Sequence, residues 1–125
     1  MKTFLAVVIA MALATAANAG ALEECMIKGD SSAVSSCLLQ EDKETQAALF
    51  KAEGDAGRKA REMETATGKS GAQAALARSM RAFAEYRKAQ CDFVKMLHGA
   101  SARSDQAALA CMIDITRRRV RDLIT

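Results

Sequence analysis

Four cysteines, at positions 25, 37, 91 and 111, constrain this chain more than any other feature, because they dictate both where it can fold and which helices must meet. No two of them stand in a Cys-x-x-Cys pair, which argues against a thioredoxin-like redox centre or a zinc ribbon. An even number with none left over implies two disulfides made in an oxidising compartment. The first residues agree. Lys2 precedes an almost unbroken apolar run from Phe4 to Ala17, too short for a comfortable membrane span, and Ala17-Asn18-Ala19 is a small-x-small cleavage pattern. The expectation is a signal peptide over 1–19, removed after Ala19, and a single domain over 20–125. Leu22, Glu23 and Glu24 stand directly before Cys25 where a lipoprotein signal would need small residues, so no membrane anchor is expected after cleavage.

The chain has no proline, no tryptophan, one tyrosine and four phenylalanines. Its core must therefore come from Ala, Leu, Ile, Val and Met, and the bridges must supply a large share of the stability. Apolar residues recur at spacings of three and four, which predicts an all-α fold, a small disulfide-stapled bundle of about three antiparallel helices. The first helix starts in Asp30-Ser31-Ser32, whose side-chain oxygens suit an N-cap, and carries Leu38, Leu39, Leu49, Ala52 and Met63 on its stripe. Gly54 and Gly57 predict a bend or break in it, and Gly68 to Gly71 a turn. The second runs from about Ala72 to Leu97 with Leu76, Met80, Phe83, Tyr86, Cys91, Val94 and Leu97 along one broad face. Residues 99–104 then read as a loop, and a third helix opens near Ser104 or Asp105.

Charge is unevenly spread: residues 20–55 hold eight acidic and three basic side chains, residues 56–125 seven and fourteen. Packing of the first part against the second accounts for this, with partner steering as the alternative. Arg117, Arg118, Arg119 and Arg121 lack interleaved aromatics and lie in the last helix, so they read as a solvated helix end rather than a nucleic-acid surface. The methionines are dispersed and read as core filling, and neither a metal nor any other cofactor is implied.

If the loop centres near residue 102, Cys91 and Cys111 lie at comparable distances from it on facing antiparallel helices, which favours bonding them and leaves Cys25 for Cys37. The rival pairing joins Cys37 to Cys91, because the start of the first helix also lies near the end of the second. Cys91 and His98 invite comparison with a thiolate–imidazole pair, but seven residues of helix separate them by roughly 10 Å, too far for a nucleophile and its base. His98 reads as a helix-end residue, and no catalytic residue is expected.

Phe83-x-x-Tyr86-Arg87-x-x-x-Cys91, then Gly99-Ala100-Ser101, then Cys111-Met112-x-x-Ile115-Thr116-x-x-Arg119-x-x-x-Leu123, resembles the lysozyme inhibitor LprI-like family of small exported bacterial domains. The likeness covers residues 76–123, with Phe83 where the family usually has Trp and Ala100 where it often has a second Gly. Physically the motif, to which Arg119 also belongs, reads as a helix weld: Phe83, Tyr86, Cys91, Cys111, Ile115 and Leu123 pack, while Arg87 and Thr116 supply polar contacts that fix register. The resemblance implies an exported binding protein that blocks lysozyme or another cell-wall hydrolase by occupying its cleft. The loop bearing His98, Gly99, Ser101 and Arg103 is the candidate contact. The alternative is an accessory envelope protein that binds peptidoglycan or another periplasmic protein without inhibiting an enzyme.

Overall fold

The computed structural model describes residues 20–124, and the leader expected over 1–19 lies outside them. Four helices carry the chain: α1 (Ala21–Met26), α2 (Ser31–Thr67), α3 (Ala72–Leu97) and α4 (Ala102–Ile124). Among the described residues there is no strand, so the all-α bundle stands, with one helix more than the three expected. The long helices alternate in direction, as their short connections require.

The additional helix is α1. Six residues cannot sustain a helix alone in water, and this one is held at both ends. Its first amide, on Ala21, donates to Asp114 Oδ1 at 2.9 Å, and Cys25 is bonded to Cys37 with 5.6 Å between Cα atoms. Glu23 and Glu24 lie in its first turn, where a carboxylate suits the positive end of the helix dipole. Gly20 is the close approach that permits the docking: a Cβ there would stand 2.8 Å from carboxylate oxygens of both Asp114 and Glu23.

The core forms where α1, α2 and α4 meet. Ala21, Cys25, Val34, Leu38, Ala110 and Ile113 are its buried members, with Leu22, Cys37 and Leu109 packed against them. These side chains are small or aliphatic, as the composition demands, and α2 against α4 is the most extensive helix interface.

Asp30 caps α2 by accepting from the Ala33 amide at 2.9 Å, and Gly68 ends it in the left-handed conformation with φ 69°. The expected break at Gly54 and Gly57 does not occur, and α2 runs unbroken for 37 residues, about 55 Å. Asp55 offsets part of the glycine cost: it pairs with Lys51 one turn before and Arg58 one turn after, at 2.7 and 2.8 Å, so ion pairs bridge the weak stretch. Those two cations also hold the Asp55 carboxyl below its usual range.

Helix α3 lies on this platform rather than within it. Cys91 is its one buried residue, and from residue 53 to residue 90 nothing is buried. Four kinds of contact hold it to α4. Cys91 is bonded to Cys111. Arg87 Nη1 donates to Thr116 Oγ1 at 2.9 Å, while the same hydroxyl donates to the Met112 carbonyl. Arg119 Nη2 donates to Ser79 Oγ at 2.8 Å, and the Arg87 and Arg119 guanidinium groups both lie over the Phe83 ring, 5.2 and 5.5 Å from its centroid. Lys95 pairs with Asp105 at 2.9 Å, which raises the lysine's pKa.

Tyr86 does not pack as expected; it is 57% exposed. The inward face of α3 runs through Phe83, Arg87, Gln90 and Val94, and Tyr86, three residues after Phe83, is rotated about 60° off it. Leu39, Met63 and Leu97, also assigned to apolar stripes, are exposed for the same reason of narrow coverage.

Candidate functional site

One end of the bundle gathers the α1–α2 turn and the α3–α4 connection. The α3–α4 connection is short because α4 opens at Ala102, two or three residues earlier than the sequence suggests. Arg103 therefore sits in the first turn of α4 and not in a loop. Gly99 turns the chain with φ 70°, and His98 is the C-cap of α3, its amide donating to carbonyls of the last turn.

The four loop candidates divide between two hollows. His98 and Arg103 come together at a cavity of about 370 Å³, shared with Leu22, Met26, Gly29, Ser31, Val34 and Gln106. Gly99 and Ser101 face a shallower hollow with Lys95, Met96, Ala100, Ser104 and Asp105. Ser101 is also committed to the fold, since its hydroxyl and carbonyl oxygens both accept from the Ser104 amide, at 3.4 and 3.0 Å.

The first hollow has an apolar floor and a polar rim. Gln106 pins the rim by donating from Nε2 to the Ser31 carbonyl, Ser31 Oγ and Ser35 Oγ at 3.0, 3.1 and 3.0 Å. Large apolar side chains are exposed in the segments that reach this end: Met26, which lines the first hollow, and its chain neighbour Ile27 are 53% and 83% exposed, and Met96, which lines the second, is 81% exposed. Sequence reasoning missed Leu22, Met26 and Ile27. The signal was the apolar pair Met26-Ile27 directly before Lys28-Gly29-Asp30, a turn sequence that strands it at the surface.

Arg117 is not part of a solvated helix end. It donates to Glu24 Oε2 at 3.1 Å and Glu41 Oε2 at 2.5 Å, tying α4 to α1 and α2, with Asp114 at 3.9 Å. Partial burial works against its charge, but Glu24 and Glu41 more than offset this and raise its pKa. The acidic first part and basic second part of the chain thus meet at this hub, below the cavity. Arg119 likewise faces inward, so the arginine cluster is partly structural.

Among the described residues both cysteine pairs are oxidised, so Cys91 is not a free thiol, and no group of three His, Cys, Asp or Glu is placed to hold a metal. Also among the described residues, no helix is long and apolar enough to cross a membrane.

These features define a class: a small helical domain stapled by two disulfides, with a hollow at one end lined by apolar side chains, His98 and Arg103. The chain belongs to the lysozyme inhibitor LprI family, whose model matches residues 25–123 and so spans all four cysteines. No curated protein and no solved structure matches it. Oxidised cysteines and this membership together point to an exported protein.

Proposed function

We propose that this protein inhibits a cell-wall-degrading glycosidase of the lysozyme kind by seating the cavity end of its bundle in the enzyme's cleft. The observation that carries the reading is the cavity in which apolar Leu22, Met26 and Val34 meet His98 and Arg103, with Met26 53% exposed. Exposed apolar groups rimmed by polar ones are what protein interfaces bury. A lysozyme cleft presents two carboxylates that do its chemistry, and the Arg103 guanidinium offers several donors in a planar fork that matches a carboxylate. The apolar lining excludes water around that contact and strengthens it.

Export is part of the proposal. Residues 1–19 act as a leader cleaved after Ala19, which frees an ammonium group on Gly20, next to the amide that Asp114 holds.

The test is turnover of cell-wall substrate by lysozyme, titrated with the oxidised protein and with an Arg103→Glu variant. Stoichiometric inhibition by the first, weakened by at least about 30-fold in the second, is expected for a charged residue at an interface centre. Unchanged turnover at large molar excess would contradict inhibition, and an accessory role in the envelope would then stand in its place.

A further inference from the structure

A second unpartnered surface lies along α3, away from the cavity end's turn residues. Ala82, Tyr86, Ala89, Phe93 and Met96 follow one another at alternating spacings of four and three, and all are exposed. Tyr86 and Phe93 are 57% and 54% exposed, far more than large side chains in a packed helix face. Spacing of this kind is the seam of a helix that packs against another helix, with the alanines allowing close approach. Among the described residues nothing covers it, since the inward face of α3 is the adjacent stripe through Phe83, Arg87, Gln90 and Val94.

Charge along the flank of this seam says what covers it. Glu85, Lys88, Asp92 and Lys95 alternate in sign at helical spacing. Turned end for end about a point near residue 90, the row matches itself: Glu85 meets Lys95, and Lys88 meets Asp92. To within half a residue the same register brings Tyr86 against Phe93 and the small Ala89 close to the axis. Glu85 has no cationic partner in its own chain among the described residues, whereas Lys88 is paired with Asp92 at 2.6 Å and Lys95 with Asp105. Pairing between copies therefore shares two existing ion pairs and supplies the one that is missing.

We propose that the protein forms a two-fold homodimer through antiparallel packing of α3 against α3 of a second copy. A closed two-fold contact of this kind uses the same patch on both copies, which is what a self-complementary row provides. The connections after Leu97 then emerge at opposite ends of the paired helices, about 20 Å apart along the axis. Each dimer presents two cavity ends facing away from each other, and the contact does not depend on what those ends bind.

Sedimentation of the oxidised protein at concentrations up to about 100 μM tests this, weak association included. Twice the monomer mass is expected, falling to monomer in Phe93→Glu with helicity unchanged. Asp92→Lys alone places Lys88 against a lysine of the other copy and weakens the dimer, whereas Lys88→Asp combined with Asp92→Lys restores it. A monomer at every concentration overturns the proposal. So does a dimer indifferent to Phe93→Glu, or one that the double exchange fails to restore.

Discussion

Breaking the Cys91–Cys111 bond should release α3 while leaving the rest of the bundle folded. The two cysteines are 20 residues apart, and closing a loop of that size in the unfolded chain is worth about 3.3 kcal/mol in the chain-entropy account. For a domain of about this length, a loss of that size lowers the melting temperature by about 13–26 °C. Cys25–Cys37 closes only 12 residues, and the same account gives about 2.8 kcal/mol. The two losses are similar in size but differ in place. Cys91 is the one buried residue of α3, so a Cys91→Ala, Cys111→Ala double variant leaves that helix held to α4 by Arg87–Thr116, Arg119–Ser79, the Phe83 contacts and the exposed Lys95–Asp105 pair. Cys25 belongs to the core cluster, so its loss frees α1 and loosens the cavity wall. Urea unfolding gives the total, and hydrogen exchange followed by mass spectrometry gives the location. The expected result is early exchange along α3 in the first variant and along α1 in the second. Were α3 amides to stay as protected as those of α4, with a melting shift of only a few degrees, the view of α3 as a helix stapled onto a platform would be refuted.

Thr116→Val keeps the shape of a fully buried side chain but removes the acceptor for Arg87, and should cost about 1–3 kcal/mol in urea unfolding, the range for stranding a buried donor. Gly54→Ala should raise stability by about 1 kcal/mol, because the glycine is inside a helix and a Cβ there meets nothing within 4 Å. The α2–α3 turn should loosen in acid. Gln73 donates to the Glu64 carboxylate from its side chain and its amide, with the Gly71 amide adding a third bond, and together these lower the carboxyl's pKa below its ordinary 4.5. A lowered folded pKa means the contribution is present above 4.5 and is lost as pH falls through the folded value. Relative to the intrinsic exchange rate at each pH, protection of the Gly71 and Gln73 amides should therefore fall below that pH, and Glu64→Gln should remove the dependence.

The three long helices were legible because their ends carry strong local chemistry: Asp30 as a cap, Gly68 to Gly71 as a turn, Gly99 as a terminator. Helix α1 was not, since six residues give no period to read and its stability comes from Asp114, on the far side of the sequence. Periodicity showed that α3 is broadly apolar but not which stripe would be covered. Phe83 turned inward and Tyr86 outward, a choice made by where Cys111, Thr116 and Arg119 sit on α4. Gly54 and Gly57 misled because ion pairs one turn either side of Asp55 span them. Of the candidate site, His98 and Arg103 could be placed near one another from their positions around the turn. Leu22, Met26 and Ile27 could not, because only the docking of α1 carries residues from the start of the chain to that end of the bundle.

Inhibition at the cavity end is tested most directly by mapping amide exchange of the oxidised protein with and without lysozyme. The account predicts slower exchange confined to two segments far apart in sequence, 26–31 and 96–104, with the α2–α3 turn at 68–71 unaffected. Protection centred on that turn, or none at saturating enzyme, would contradict it.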